Sequence, residues 1–207
     1  GAMLCTVVAL KYTTVAVAVF VMAAAPVFAA LLAKIILREQ THRRGWISIA
    51  LAFIGIAIMV GGRLQVGDIF GVSVAILGIM FFGAYAVSLR IGKNLDMTPA
   101  VLCGGFVGTL ISCGMSFATG VGLLIPLAEA LWCSALGVVQ LGLGSVLFAL
   151  AAQTVPAVQL TLFSLGEPVL APIWVLIAFN EIPTGTTLVG GGILFLALTL
   201  QLFDRSN

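Results

Sequence analysis

The sequence predicts an all-α membrane protein, a polytopic bundle of helices, and three observations carry that expectation. First, 62% of the 207 residues are hydrophobic and 8% are charged, whereas soluble domains are about one quarter charged and about half apolar. Second, the apolar residues fall into runs of membrane-crossing length. Third, the charged residues and turn formers collect in the breaks between those runs. A surface this apolar would drive association in water, so the expected solvent is lipid. The net charge of +2 gives no argument for nucleic acid as a partner, and no block of like charge forms a tail.

A helix needs about 20 apolar residues to cross the hydrocarbon core. By that measure the chain offers seven full spans, at 13–37, 44–61, 69–91, 99–121, 129–151, 155–179 and 186–203. Residues 1–10 are apolar but too short to cross, and read as the end of an earlier helix. The first span stops at the charged segment Arg38 to Arg44, and the second at Gly61 to Asp68. Gly92 to Pro99 and Pro126 to Glu129 bound the next two. Thr154 to Pro156 opens the sixth, and Asn180 to Gly185 separates it from the seventh. Closed helices are the economical answer in each case, because lipid leaves no partner for an unpaired backbone group.

Orientation follows from lysine and arginine. Alternate loops place Lys34, Arg38, Arg43, Arg44, Arg90, Lys93 and Arg205 on one side, and Lys11 and Arg63 on the other. The richer side is assigned to the cytoplasm, which puts the C-terminus there. Glycines at small-xxx-small spacing (Gly104 and Gly108), together with Gly137, Gly142, Gly144 and the triplet Gly190 to Gly192, predict close helix packing. Cys5, Cys103, Cys113 and Cys133 all lie in apolar runs, with no CxxC pair, and His42 sits in a charged loop. Neither a disulfide framework nor a metal site is expected.

An internal repeat is legible. Residues 9–39 align without gaps on 151–181, an offset of 142 that matches Ala9 with Ala151, Pro26 with Pro168, Val27 with Val169, Ile35 with Ile177 and Glu39 with Glu181. Given the loop assignment, the first copy runs inward and the second outward. Inverted repeats characterise many secondary carriers, with the substrate near the midplane between the halves. The second unit starts near Asp68, so the offset puts the start of the first near position −74. About two and a half helices are therefore expected before Gly1, and the chain reads as a fragment.

The segment "PVFAALLAKIILRE", the helix ending "FIGIAIMVGG" and the later "EPVLAPIWVLIAFNE" resemble the EamA family of the drug/metabolite transporter superfamily. The resemblance divides the chain into the C-terminal part of a first EamA repeat at 1–62 and a complete second repeat at 68–203. It implies two inverted units of five helices, the first incomplete here, and a multi-pass protein of the cell (inner) membrane. It further implies carriage, read as export, of small metabolites, amino acids or drugs.

Glu167 is the leading candidate for chemistry. It lies within the span 155–179, where an ionised side chain is costly and marks a functional position by default. Pro168 follows it and breaks the helix, as Pro26 does in the first copy. Ser164 and Trp174 share the face of Glu167 at helical spacing, and a carboxylate beside an aromatic ring suits an organic cation. Gln159, Gln140, Tyr85 and Ser88 are further polar side chains within spans, equally ready for interhelical hydrogen bonds. Glu39 and Glu181 end their helices and read as gating or structural. The membrane interior offers one strong acid and no histidine, too little for hydrolysis, so an enzyme is not expected, nor any cofactor. The expected partners are a small-molecule substrate, the lipid bilayer, and either a second copy or the missing N-terminal helices. A non-transporting truncated product or membrane assembly subunit stays open as the alternative.

Overall fold

The computed structural model describes residues 1–13, 15–60, 69–118, 120, 126–180, 182 and 184–202. Every regular element among them is helical. In chain order they are α1 (Ala2–Tyr12), α2 (Val15–Met22), α3 (Ala25–Leu32) with the π-helical turn π1 (Ala33–Leu37), α4 (Arg43–Val60), α5 (Ile69–Ile91), α6 (Thr98–Ala118), α7 (Leu127–Ala135), the π-helical π2 (Leu136–Leu143), α8 (Gly144–Ala151), α9 (Ala157–Ser164), α10 (Gly166–Phe179) and α11 (Gly185–Leu202). Among the described residues, five helical stretches are long and apolar enough to cross a bilayer: Phe20–Leu37, Arg43–Val60, Ile69–Ile91, Thr98–Ala118 and Leu127–Ala151.

Two of the expected spans are divided. The run 155–179 turns at Leu165, whose N–H bonds the Leu162 carbonyl at 2.9 Å. The run 13–37 turns at Ala23 and Ala24, whose N–H groups bond the Phe20 and Val21 carbonyls at 3.2 and 2.9 Å. These i→i+3 bonds tighten the last turn of one half-helix before the next begins. Pro26 and Pro168 do not sit at the breaks themselves. Each lies in the first turn of the following half-helix, where a missing N–H has no helical partner to lose.

The offset of 142 recurs in these boundaries. α2 maps onto α9 and α4 onto α11 at both ends. Arg38 and Asn180, also 142 apart, close their helices in the left-handed conformation with φ of 56° and 57°. A left-handed residue at a helix end lets its N–H reach back to a carbonyl of the last turn. Asn180 does so to Leu176 at 3.0 Å.

By contacts the chain forms two compact units, Gly1–Ser88 with Pro156–Asn207, and Leu89–Val155. The first holds the core: Ala23, Ala30, Ile49, Ala52, Ile56, Val60, Val158, Leu162, Leu165, Leu194 and Ala197, with Phe20 and Phe53 packed against it and edge-to-face on each other. Here α3 packs on α9, and α4 packs along α11. A Cβ on Gly55 would stand 2.8 Å from the Gly190 carbonyl oxygen and 2.9 Å from the Leu194 nitrogen, and one on Gly190 would stand 2.6 Å from Met59 Cγ. Rising numbers on α4 meet falling numbers on α11, so the pair is antiparallel and its backbones touch. In the same unit α5 lies against α1 and α3. A Cβ on Gly71 would stand 2.8 Å from the Tyr12 backbone carbon, one on Gly78 3.1 Å from Cys5 Cβ, and one on Gly83 3.1 Å from the Ala29 nitrogen.

In the second unit α6 packs on α8. Arg90, at the end of α5, donates from Nη1 to the carbonyls of Ala152 (3.2 Å) and Gln153 (2.9 Å). Those carbonyls follow α8, where helix geometry supplies no N–H donor. The glycine expectation is corrected here. A Cβ at Gly104, Gly108, Gly137 or Gly144 would meet nothing within 4 Å. Spacing alone cannot say which helical face meets a neighbour, and the close approaches fall at Gly55, Gly71, Gly78, Gly83 and Gly190.

Candidate functional site

Glu167 is the second residue of α10 and is exposed on the surface of its unit. The first turn of a helix carries N–H groups without helical partners and the positive end of the helix dipole, so a carboxylate is favoured there. The break at Leu165 therefore explains how an acid is accommodated inside an apolar run. Ala171 and Trp174 continue the stripe one and two turns on, both exposed, Trp174 at 64%. Pro172 lies inside α10. With no N–H to give, it leaves the Pro168 carbonyl without its helical donor, so acid, carbonyl and indole lie along one half-helix. Pro172 was not singled out from the sequence, although a second proline four residues after Pro168 is a readable sign of a freed carbonyl.

The other candidates separate into three groups. Ser164 closes α9, half-buried, and its hydroxyl donates to the Leu160 carbonyl at 3.1 Å. Thr161 likewise donates to the carbonyls of Ala157 (3.2 Å) and Val158 (2.9 Å). Such back-bonding bends a helix and makes Ser164 part of the break. Gln159 is half-buried on α9. Thus Gln159, Ser164, Glu167 and Trp174 share the α9–α10 pair. Tyr85, half-buried, and Ser88, exposed, lie on α5, whose close approaches are to α1 and α3. Gln140, exposed in π2, belongs to the other compact unit. Glu39 is half-buried, and its N–H reaches the Ala33 carbonyl at 3.3 Å just after the left-handed Arg38. Glu181 lies outside the described residues.

The equivalent break in the first copy differs in chemistry. Ala25 stands where the second copy has Glu167. Ala23 (0% exposed), Ala25 (2%) and Ala29 (0%) are sealed there with Pro26. One break is dry and lined by methyl groups, the other presents an acid. Elsewhere in the same unit a groove of about 380 Å³ runs between α3 and α5, lined by Phe28, Leu31, Leu32, Leu77, Met80, Phe81 and Ala84. With no polar side chain in its lining it offers nothing to orient a polar solute.

Comparisons with known proteins agree with this geometry. A solved crystal structure superposes with a TM-score of 0.86 over 100% of this chain and 73% of its own, at 18% identity, which shows the fold. No curated protein matches the sequence significantly. The sequence profile of the EamA-like transporter family matches residues 1–61 and 69–203, and with five apolar helices long enough to cross a bilayer the chain is a multi-pass membrane protein that belongs to that family.

Proposed function

We propose that the chain is part of a secondary carrier that moves a small metabolite, amino acid or drug across the cell membrane, with Glu167 at the solute site. The carrying observation is Glu167 itself, an exposed acid at the start of a half-helix, on one stripe with Trp174 and next in the chain to the freed carbonyl of Pro168. That combination suits a positively charged organic group or a transported proton: the carboxylate supplies charge, the indole face supplies its quadrupole, and the carbonyl supplies an acceptor. The boundaries recurring at an offset of 142 and the antiparallel α4 and α11 support two inverted repeats working by alternating access. The divisions at 1–62 and 68–203, the cytoplasmic C-terminus and export as the direction belong to the same reading.

Glu167→Gln tests it. The substitution keeps the size and most hydrogen bonds while removing the charge. A charged group near the bilayer centre costs about 2.5–3.5 kcal/mol on insertion scales, so its neutralisation should leave insertion intact. In the complete carrier the expected outcome is at least tenfold slower substrate-driven flux in proteoliposomes, with protein accumulation near that of the parent. Parental flux with parental pH dependence in the variant would sink the assignment.

A further inference from the structure

The seam between α4 and α11 differs at its two ends. In the register set by the Gly55–Leu194 and Gly190–Met59 approaches, α4 presents Ser48, Ala52, Gly55 and Met59, and α11 presents Gly190, Leu194, Ala197 and Gln201. The offset of 142 carries the first set onto the second, Ser48 onto Gly190 and Met59 onto Gln201. The same internal symmetry therefore produces two end pairs, Met59 opposite Gly190 and Ser48 opposite Gln201.

The first pair is apolar and closed. A Cβ on Gly190 would meet Met59 Cγ and Met59 N at 2.6 Å, and Gly55 backbone lies against it as well. The second pair is polar and sealed. Ser48 is 0% exposed and Gln201 4%, and neither Ser48 Oγ nor Gln201 Oε1 has a hydrogen-bond partner among the described residues. Gln201 Oε1 lies 3.8 Å from where a Cβ on Gly45 would stand, one helical turn from Ser48, and the Thr41 methyl lies 2.6 Å from the same point. Buried polar groups in protein interiors are paired, and where side chains do not supply the partner an ordered water does.

We propose that Ser48 and Gln201 hold a water molecule between them, and that this hydrated end is where the α4–α11 seam loosens while the Gly55–Gly190–Met59 end serves as its pivot. The water donates to Gln201 Oε1 and exchanges a hydrogen bond with the Ser48 hydroxyl. Parting the hydrated end replaces contacts to one water by contacts to others. Parting the other end separates backbone and methionine surfaces that have no polar replacement. The inference rests on the seam alone and is independent of what Glu167 binds.

Hydrogen–deuterium exchange on the whole chain in lipid nanodiscs tests it, because the two ends lie at equivalent distances from the helix termini and fray alike. Amides of 47–50 and 199–202 should exchange at least tenfold faster than those of 57–60 and 189–192. Ser48→Ala with Gln201→Met gives the hydrated end the chemistry of its counterpart and should bring the two ends within about threefold. Equal exchange at both ends of the parent, or an unchanged difference in the variant, overturns the proposal. If the double variant does not accumulate, Ser48→Ala alone decides. A lowered thermal midpoint in detergent supports a water left one partner short, and a raised or unchanged midpoint overturns it.

Discussion

Asp96 stands just ahead of α6, and its Oδ1 accepts the Thr98 N–H at 2.9 Å. The Thr98 hydroxyl and then that N–H hold its carboxyl below the ordinary value of 3.8, because both bonds favour the ionised form. A carboxyl whose pKa is lowered by folding stabilises the fold above its unfolded value, and that contribution is lost as pH falls through the folded value. The local consequence is fraying of the first turn of α6. Asp96→Ala should speed exchange of the Thr98, Ala100 and Val101 amides severalfold at pH 7, after correction for intrinsic rates. The parent should fray in the same way once the pH is brought below 3.8, whereas Asp96→Asn, which accepts the same N–H without titrating, should show no such pH step. Absence of the step in the parent would remove the capping role. The contrast with Glu167 shows what a sequence reveals at this scale. Glu167 was conspicuous because an acid in an apolar run is costly. The reason it is tolerated, a helix start at Gly166, was hidden, because Leu165 and Gly166 carry no strong stop signal and Pro168 drew the expected break downstream.

Helix pairs tell a similar story. The glycine triplet was visible in the sequence, but only its first member faces the seam: a Cβ at Gly190 collides with α4, while at Gly191 or Gly192 it meets nothing within 4 Å. Gly190→Ala should therefore destabilise, by about 1–3 kcal/mol for an overpacked contact whose neighbours are backbone. Gly191→Ala should be neutral or stabilising, since alanine is the better helix former by about 0.5–1 kcal/mol. Thermal unfolding of the two variants in one detergent checks this, and a Gly190→Ala protein as stable as Gly191→Ala would mean the seam is looser than its geometry indicates. Gly55, the partner in that contact, gave no sequence signal because a single glycine in a helix has many explanations. The left-handed ends at Arg38 and Asn180 were equally unmarked. Asparagine tolerates that conformation and arginine rarely adopts it, yet the repeat spacing from proline to glutamate already framed both positions.

At the scale of the whole molecule the path of the chain across the bilayer turns on α9–α10. Length favours crossing by the divided α9–α10. Its 8 and 14 residues with Leu165 between them rise about 34 Å at 1.5 Å per residue, against a hydrocarbon core of about 30 Å. The alternative is a re-entrant pair, in which the turn at Leu165 reverses direction and both ends stay on one face. Charge places the start of α9: Lys93 and Arg90 stand at the end of α5, and two further crossings, by α6 and by Leu127–Ala151, return the chain at Gln153 to the face that holds them. In a chain whose four native cysteines are replaced, single cysteines at Gln40, Asn94 and Thr154 should react with a membrane-impermeant maleimide only from the cytoplasmic face. Cysteines at Thr13 and Ile182 should react only from the opposite one. Ile182 is the decisive position, because the other four follow from α2–α8. Labelling of Ile182 together with Thr154 would make α9–α10 re-entrant, reverse α11, and contradict the antiparallel α4–α11 pair. Labelling from opposite faces requires the chain to pass the membrane through a helix broken beside its acid, which puts Glu167 inside the bilayer at a depth that only a wet or charged partner can satisfy.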